Sequence, residues 1–172
     1  KGSGRKVRDE WKPLWGKRAV VEDHFNELVI DLVNPAGQLE RMQLVVRGYN
    51  DGFAFCYKIP DGKGPCVNVQ SELTAYNFAG DYTAWFYNGE NHNIGPEKLT
   101  ETDGTRLPVM TVKAGDKHYM AIHEACLETG APLVLQSKGG NRSFRSLPSR
   151  PVCRRDIHQP GVSFCMGRHL AC

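Results

Sequence analysis

One carboxylate stands out as a group with chemical potential. Glu124 ends the stretch "HYMAIHEA", where Met120, Ala121 and Ile122 run directly toward it. A carboxylate following an apolar strand is either a hard-oxygen metal ligand or a surface group, and spacing alone favours the surface. His118 and His123 flank the same stretch. They are five residues apart, which in a strand sends them to opposite faces, whereas the helical zinc pattern needs histidines at i and i+4. Zinc is therefore not expected there. The second chemically suggestive group is aromatic: Tyr82, Trp85, Phe86 and Tyr87 in "GDYTAWFYNGEN", with Trp11 and Trp15 in "EWKPLWGKR". Aromatic faces stack on sugar rings, so Trp15 and Trp85 are candidates for substrate binding, against the ordinary role of such rings in packing. The chain has no G-x-S-x-G, no Gly-rich phosphate loop and no H-E-x-x-H, and no residue is assigned a catalytic role.

The elements that must carry these groups read as β-strands throughout. "ELVIDLV" at 27–33 is apolar and β-branched, and Asn34-Pro35-Ala36-Gly37 has turn composition. Met42, Leu44 and Val46 then alternate with Gln43 and Val45, the period-two pattern of a half-buried strand. "RGYNDGFAFCYKI" places Asn50-Asp51-Gly52 between two alternating runs, a hairpin signal. Phe53, Phe55 and Tyr57 fall on one face of its second strand and are expected to point into the core. Further short strands are expected at 66–70, 72–78, 82–87, 107–113, 118–123 and 132–136, with a long polar loop at 88–105. Such spacing predicts an all-β antiparallel sandwich over residues 18–136.

The 172 residues suit one domain. Their formal charge of +3 divides unevenly. Residues 138–172 carry +6 and residues 1–137 carry −3, so the body offers no basic stripe for nucleic acid. No apolar run approaches the roughly 20 residues of a membrane span, and the chain reads as soluble. It opens at Lys1 and reads as a piece of a longer protein. Cysteines 56, 66, 126, 153, 165 and 172 form no C-x-x-C pair. They are open to disulfide pairing in an exported protein or to a thiol state. From Ser137 alternation decays, a short strand near Ser143–Arg145 aside, and residues 138–172 are expected to be an irregular basic tail.

Taken in order, "EWKPLWGKR", "DHFNELVIDL", "RGYNDGFAFCYKI", "SELTAYNFAGDYTAWF", "LPVMTV" and "HYMAIHEACL" resemble the N-terminal domain of glycoside hydrolase family 97, over residues 9–128. The resemblance implies an incomplete β-super-sandwich of galactose-mutarotase-like type over residues 1–137. It further implies a (β/α)8 catalytic barrel, absent from this chain, that acts on α-linked oligosaccharides with a calcium ion in its site. Glu124 matches the carboxylate that the domain lends to that calcium. With the other ligands in the barrel, this chain alone is expected to bind no calcium tightly, to hydrolyse nothing, and to leave Glu124 exposed with its side chain free. A periplasmic or secreted location follows from the same resemblance. Cys56 stands where the family has Arg, and the run after Arg145 departs from the family pattern, as a frameshifted or wrongly joined end would. Two other readings remain open: a stand-alone carbohydrate-binding module, or a truncated product without function.

Overall fold

The computed structural model describes residues 2–33, 42–58, 73–89, 93–125 and 132–147, and the backbone of 162–168. The strands are β1 (Gly2–Trp11), β2 (Val21–Leu32), β3 (Met42–Gly48), β4 (Gly52–Lys58), β5 (Ala75–Asn77) and β6 (Thr83–Tyr87). They continue with β7 (Asn93–Lys98), β8 (Asp103–Lys113), β9 (Tyr119–Glu124), β10 (Val134–Lys138), β11 (Ser143–Leu147) and β12 (Val162–Arg168). Every pairing among them is antiparallel, in the order β1-β2-β3-β4-β12-β9-β8-β10-β11-β5, with β6 beside β8 and β7 beside β6. β8 belongs to both layers. Asp103–Arg106 pairs with β10, and Met110–Lys113 pairs with β9. That shared strand folds β10, β11 and β5 back over β6, β8 and β9.

The core lies between these layers. Ala84, Phe86, Met110, Val112 and Ile122 from one side meet Tyr76, Leu133, Leu135 and Phe144 from the other, and Leu99 is fully buried with them. The aromatic centre is well defined: Phe86 and Phe144 rings sit 5.6 Å apart, and Phe78 meets Phe144 edge-on at 6.4 Å. Asp81 anchors the turn ahead of β8 by accepting hydrogen bonds from the Thr100 amide (3.1 Å) and hydroxyl (2.9 Å).

Several expectations change. β1 has no forerunner in the sequence pattern, because "GSGRKVRDEW" shows no apolar alternation. Nearly all its residues are exposed, and it exists through main-chain pairing with β2. The polar stretch 88–105 is not one long loop but holds β7 and the start of β8. β7 pairs with β6 alone among the described residues, and such an edge needs no apolar face. The short strand expected near Ser143–Arg145 is present as β11, and within the stretch expected to be irregular residues 162–168 form a further strand, β12. β12 fills the gap between β4 and β9, where two ladders of main-chain groups would otherwise lack partners. The run expected at 66–70 lies outside the described residues.

The hairpin in "RGYNDGFAFCYKI" is present. Gly48 faces Phe53, and the Tyr49 amide donates to the Gly52 carbonyl at 2.8 Å across the two-residue loop Asn50–Asp51. Its second strand does not lie in the core, however. Phe53 is 43% exposed, Phe55 and Tyr57 are half-buried, and of the three only Phe55 packs against the core cluster.

Arg47, which opens the same motif, has a clear structural role. Arg5, Glu27 and Arg47 stand opposite one another across β1, β2 and β3. Arg5 Nε donates to Glu27 Oε1 at 2.6 Å and Arg47 Nε to Glu27 Oε2 at 2.8 Å. The Arg47 guanidinium also lies 4.4 Å over the Phe25 ring. Glu27 is only 8% exposed, and the hydrogen bond from Arg5, with help from Arg47, holds its carboxyl below the usual glutamate range. A carboxyl with a lowered folded pKa stabilises the fold above its unfolded pKa, about 4.3, and loses that contribution as pH falls through the folded value. Glu27→Gln should therefore destabilise near neutral pH by about 1–2 kcal/mol, and the gap should close in acid. The cost falls below the roughly 3–5 kcal/mol for breaking a fully buried pair, because both arginines keep water. Urea unfolding of both proteins at pH 7 and pH 3 checks this; a gap that persists in acid would contradict it.

Candidate functional site

β9 delivers Glu124. Along it Met120 and Ile122 turn inward, and Ile122 is buried against Met110 of β8, its direct partner. Period-two geometry puts Glu124 on this same inward side, one step beyond Ile122 at the strand end. Contrary to expectation, its side chain is not free. The Leu133 amide donates to Glu124 Oε2 at 2.9 Å, and the residue is half-buried. Burial raises the carboxyl pKa, because losing water penalises the charge, and the Leu133 hydrogen bond opposes part of that rise.

The neighbouring histidines do not join it. His118 is exposed beyond the strand, and His123 lies on the outer side with Nδ1 3.3 Å from the Glu124 carbonyl oxygen. Among the described residues no three of His, Cys, Asp and Glu converge on a common point. Calcium needs six to eight oxygens, and a carboxylate with one oxygen free of hydrogen bonds among the described residues fits as one contributor to such a set. It does not make a site by itself.

The aromatic candidates lie elsewhere. Trp85 pairs with Thr111, and Thr111 with Ala121, a row on the outer face, opposite to Glu124. It is half-buried where β7 crosses close to β6. Gly95 permits that approach: with φ of 120°, a Cβ there would fall 2.5 Å from the Ala84 carbonyl oxygen and 3.2 Å from the Trp85 ring. The neighbouring aromatics divide between faces, Phe86 in the core and Tyr87 exposed, so they form no single platform. Trp15 does not pack into the sandwich. It is 88% exposed, beside a fully exposed Leu14, in the connection between β1 and β2. Glu124, Trp15 and Trp85 are thus not brought together.

Two features leave little trace in the sequence. One is the Leu133 amide, which no side-chain pattern reveals. The other is a cavity of about 540 Å³ on the inward side, lined by Phe53, Phe55, Tyr76, Phe78, Tyr82 and Met120 among others. The alternating aromatics of "GFAFCYKI" signal an apolar face but not that it borders a cavity.

The family model described as Glycosyl-hydrolase 97 N-terminal matches residues 1–152. The chain belongs to this family. A retaining alpha-galactosidase of Bacteroides thetaiotaomicron is 29% identical over 160 residues, covering 82% of this chain and 23% of the relative. A probable retaining alpha-galactosidase of Streptomyces bingchenggensis is 28% identical over 160 residues, covering 92% and 21%. The glycosyl-hydrolase 97 N-terminal fold is also seen in a family 97 enzyme from Pseudoalteromonas sp. strain K8 in complex with acarbose. That structure superposes with a TM-score of 0.80 at 20% identity over 98% of this chain and 27% of its own. A beta-arabinopyranosidase superposes at 0.78 with 14% identity. The chain therefore spans about a quarter of the length of these relatives, and the all-β glycosyl-hydrolase 97 N-terminal architecture is shared with them.

Proposed function

We propose that this domain completes the active site of a calcium-dependent α-glycosidase by lending Glu124 to a calcium ion held mainly by a (β/α)8 barrel. One observation carries the reading: Glu124 falls at the inward end of β9, where the Leu133 amide holds one carboxylate oxygen and the other has no hydrogen bond among the described residues. Bound there, calcium would orient carboxylates and stabilise charge at the scissile bond. The domain's own part is to hold a hard oxygen at a fixed place on a rigid strand. Substrate is an α-linked oligosaccharide, and the names of the two curated relatives make an α-galactoside the first to test. An exported, periplasmic or secreted location accompanies this reading. Among the described residues no helix is long and apolar enough to cross a membrane.

Glycoside hydrolysis needs two carboxyl groups flanking the bond, and in this reading both belong to the barrel. The chain alone should release no nitrophenol from nitrophenyl α-galactoside or α-glucoside, with or without calcium. Calcium-dependent release by this chain would refute the division of labour.

Trp15 supports a second reading, a carbohydrate-binding module, because an indole 88% exposed is available for stacking. Quenching of tryptophan fluorescence by α-galacto-oligosaccharides that disappears in Trp15→Ala would favour it, and no quenching would remove it.

A further inference from the structure

We propose that the backbone amide of Leu133 is a positioning group for Glu124, holding one carboxylate oxygen so that the other is presented to the cation. The inference rests on the reading of Glu124 as a metal ligand and adds how this chain sets that ligand. Three observations support it. The Leu133 amide donates to Oε2 at 2.9 Å, while Oε1 has no hydrogen-bond partner among the described residues. Leu133 is 2% exposed and sits in the core cluster with Ile122 and Leu135, so its amide is fixed by packing rather than carried on a loose loop. Ile122 lies two residues before Glu124 on the same inward side, so donor and acceptor are referenced to one packed unit. A glutamate side chain otherwise samples several rotamers, and ordering it at the moment of binding weakens the cation by that entropy. Hydrogen bonds to a ligating carboxylate remove that loss and direct the ligand.

The first test uses this chain. The Leu133 amide should exchange with deuterium at least about tenfold faster in Glu124→Ala than in the parent sequence, with the amides of Ile122 and Leu135 unchanged. Equal exchange at Leu133 overturns the proposal. The second test uses the enzyme that carries this domain. Replacing Leu133 by leucic acid, its α-hydroxy analogue, removes the N–H and keeps the side chain. Calorimetric calcium Kd should then rise about 10- to 100-fold with every ligand intact, a change that a merely structural hydrogen bond would not produce. If Glu124→Gln weakens calcium and the leucic acid variant does not, positioning is wrong while the ligand reading stands. If Glu124→Gln leaves calcium binding unchanged, the ligand reading fails, and the positioning role falls with it.

Discussion

Phe144→Ala should remove roughly 3–5 kcal/mol of stability, the upper range for truncating a buried side chain. Phe144 is fully buried and touches both layers, with Phe86 5.6 Å away on one side and Phe78 6.4 Å away on the other. Its removal takes away the transfer free energy of the ring and leaves a cavity that two rigid aromatic neighbours cannot fill. Domains of this kind hold only about 5–15 kcal/mol in total, so the variant should unfold at much lower urea, or fail to accumulate folded. Phe53→Ala is the matched control. Phe53 is 43% exposed at the mouth of the cavity, so the same chemical change there should cost less than about 1.5 kcal/mol. Equal losses at the two positions would show that the core is misplaced. Phe55, half-buried, should fall between them.

In the enzyme that carries this domain, Glu124→Gln should lower kcat/KM by on the order of 100-fold or more, about 2.7 kcal/mol or more of transition-state stabilisation. The substitution keeps shape and the carbonyl oxygen but removes the negative charge that a hard divalent cation selects. The calcium needed for half-maximal activity should rise together with the loss of rate, and saturating calcium should restore part of it. In a purely structural account the thermal stability would drop and the calcium response would not move. Activity measured across a calcium series, with unfolding temperature measured alongside, separates the two. Unchanged calcium response would rule out Glu124 as a ligand.

Much of this domain is legible in the order of its residues. Alternation in Met42–Val46 and Phe53–Tyr57, with the Asn50–Asp51 turn between, specifies the β3–β4 hairpin because side-chain period and turn chemistry are local properties. The apolar run into Glu124 specifies both β9 and the residue at its end. The calcium role proposed for Glu124 comes from the family resemblance carried in those same segments, whereas spacing alone assigns the residue to the surface. Edge and inserted strands are not legible. β1 and β7 are polar because edges need no buried face, and β12 shows a Val162, Phe164, Met166 alternation hidden among Arg, Cys and Pro. Their identity depends on which main-chain groups elsewhere lack partners. Only the tertiary structure decides that Phe53 borders a cavity rather than the core, that Trp85 and Glu124 occupy opposite faces of one sheet, and that the Leu133 amide holds Glu124. Each of these depends on contacts between segments distant along the chain, and a backbone N–H that finds a carboxylate leaves no mark in the order of side chains.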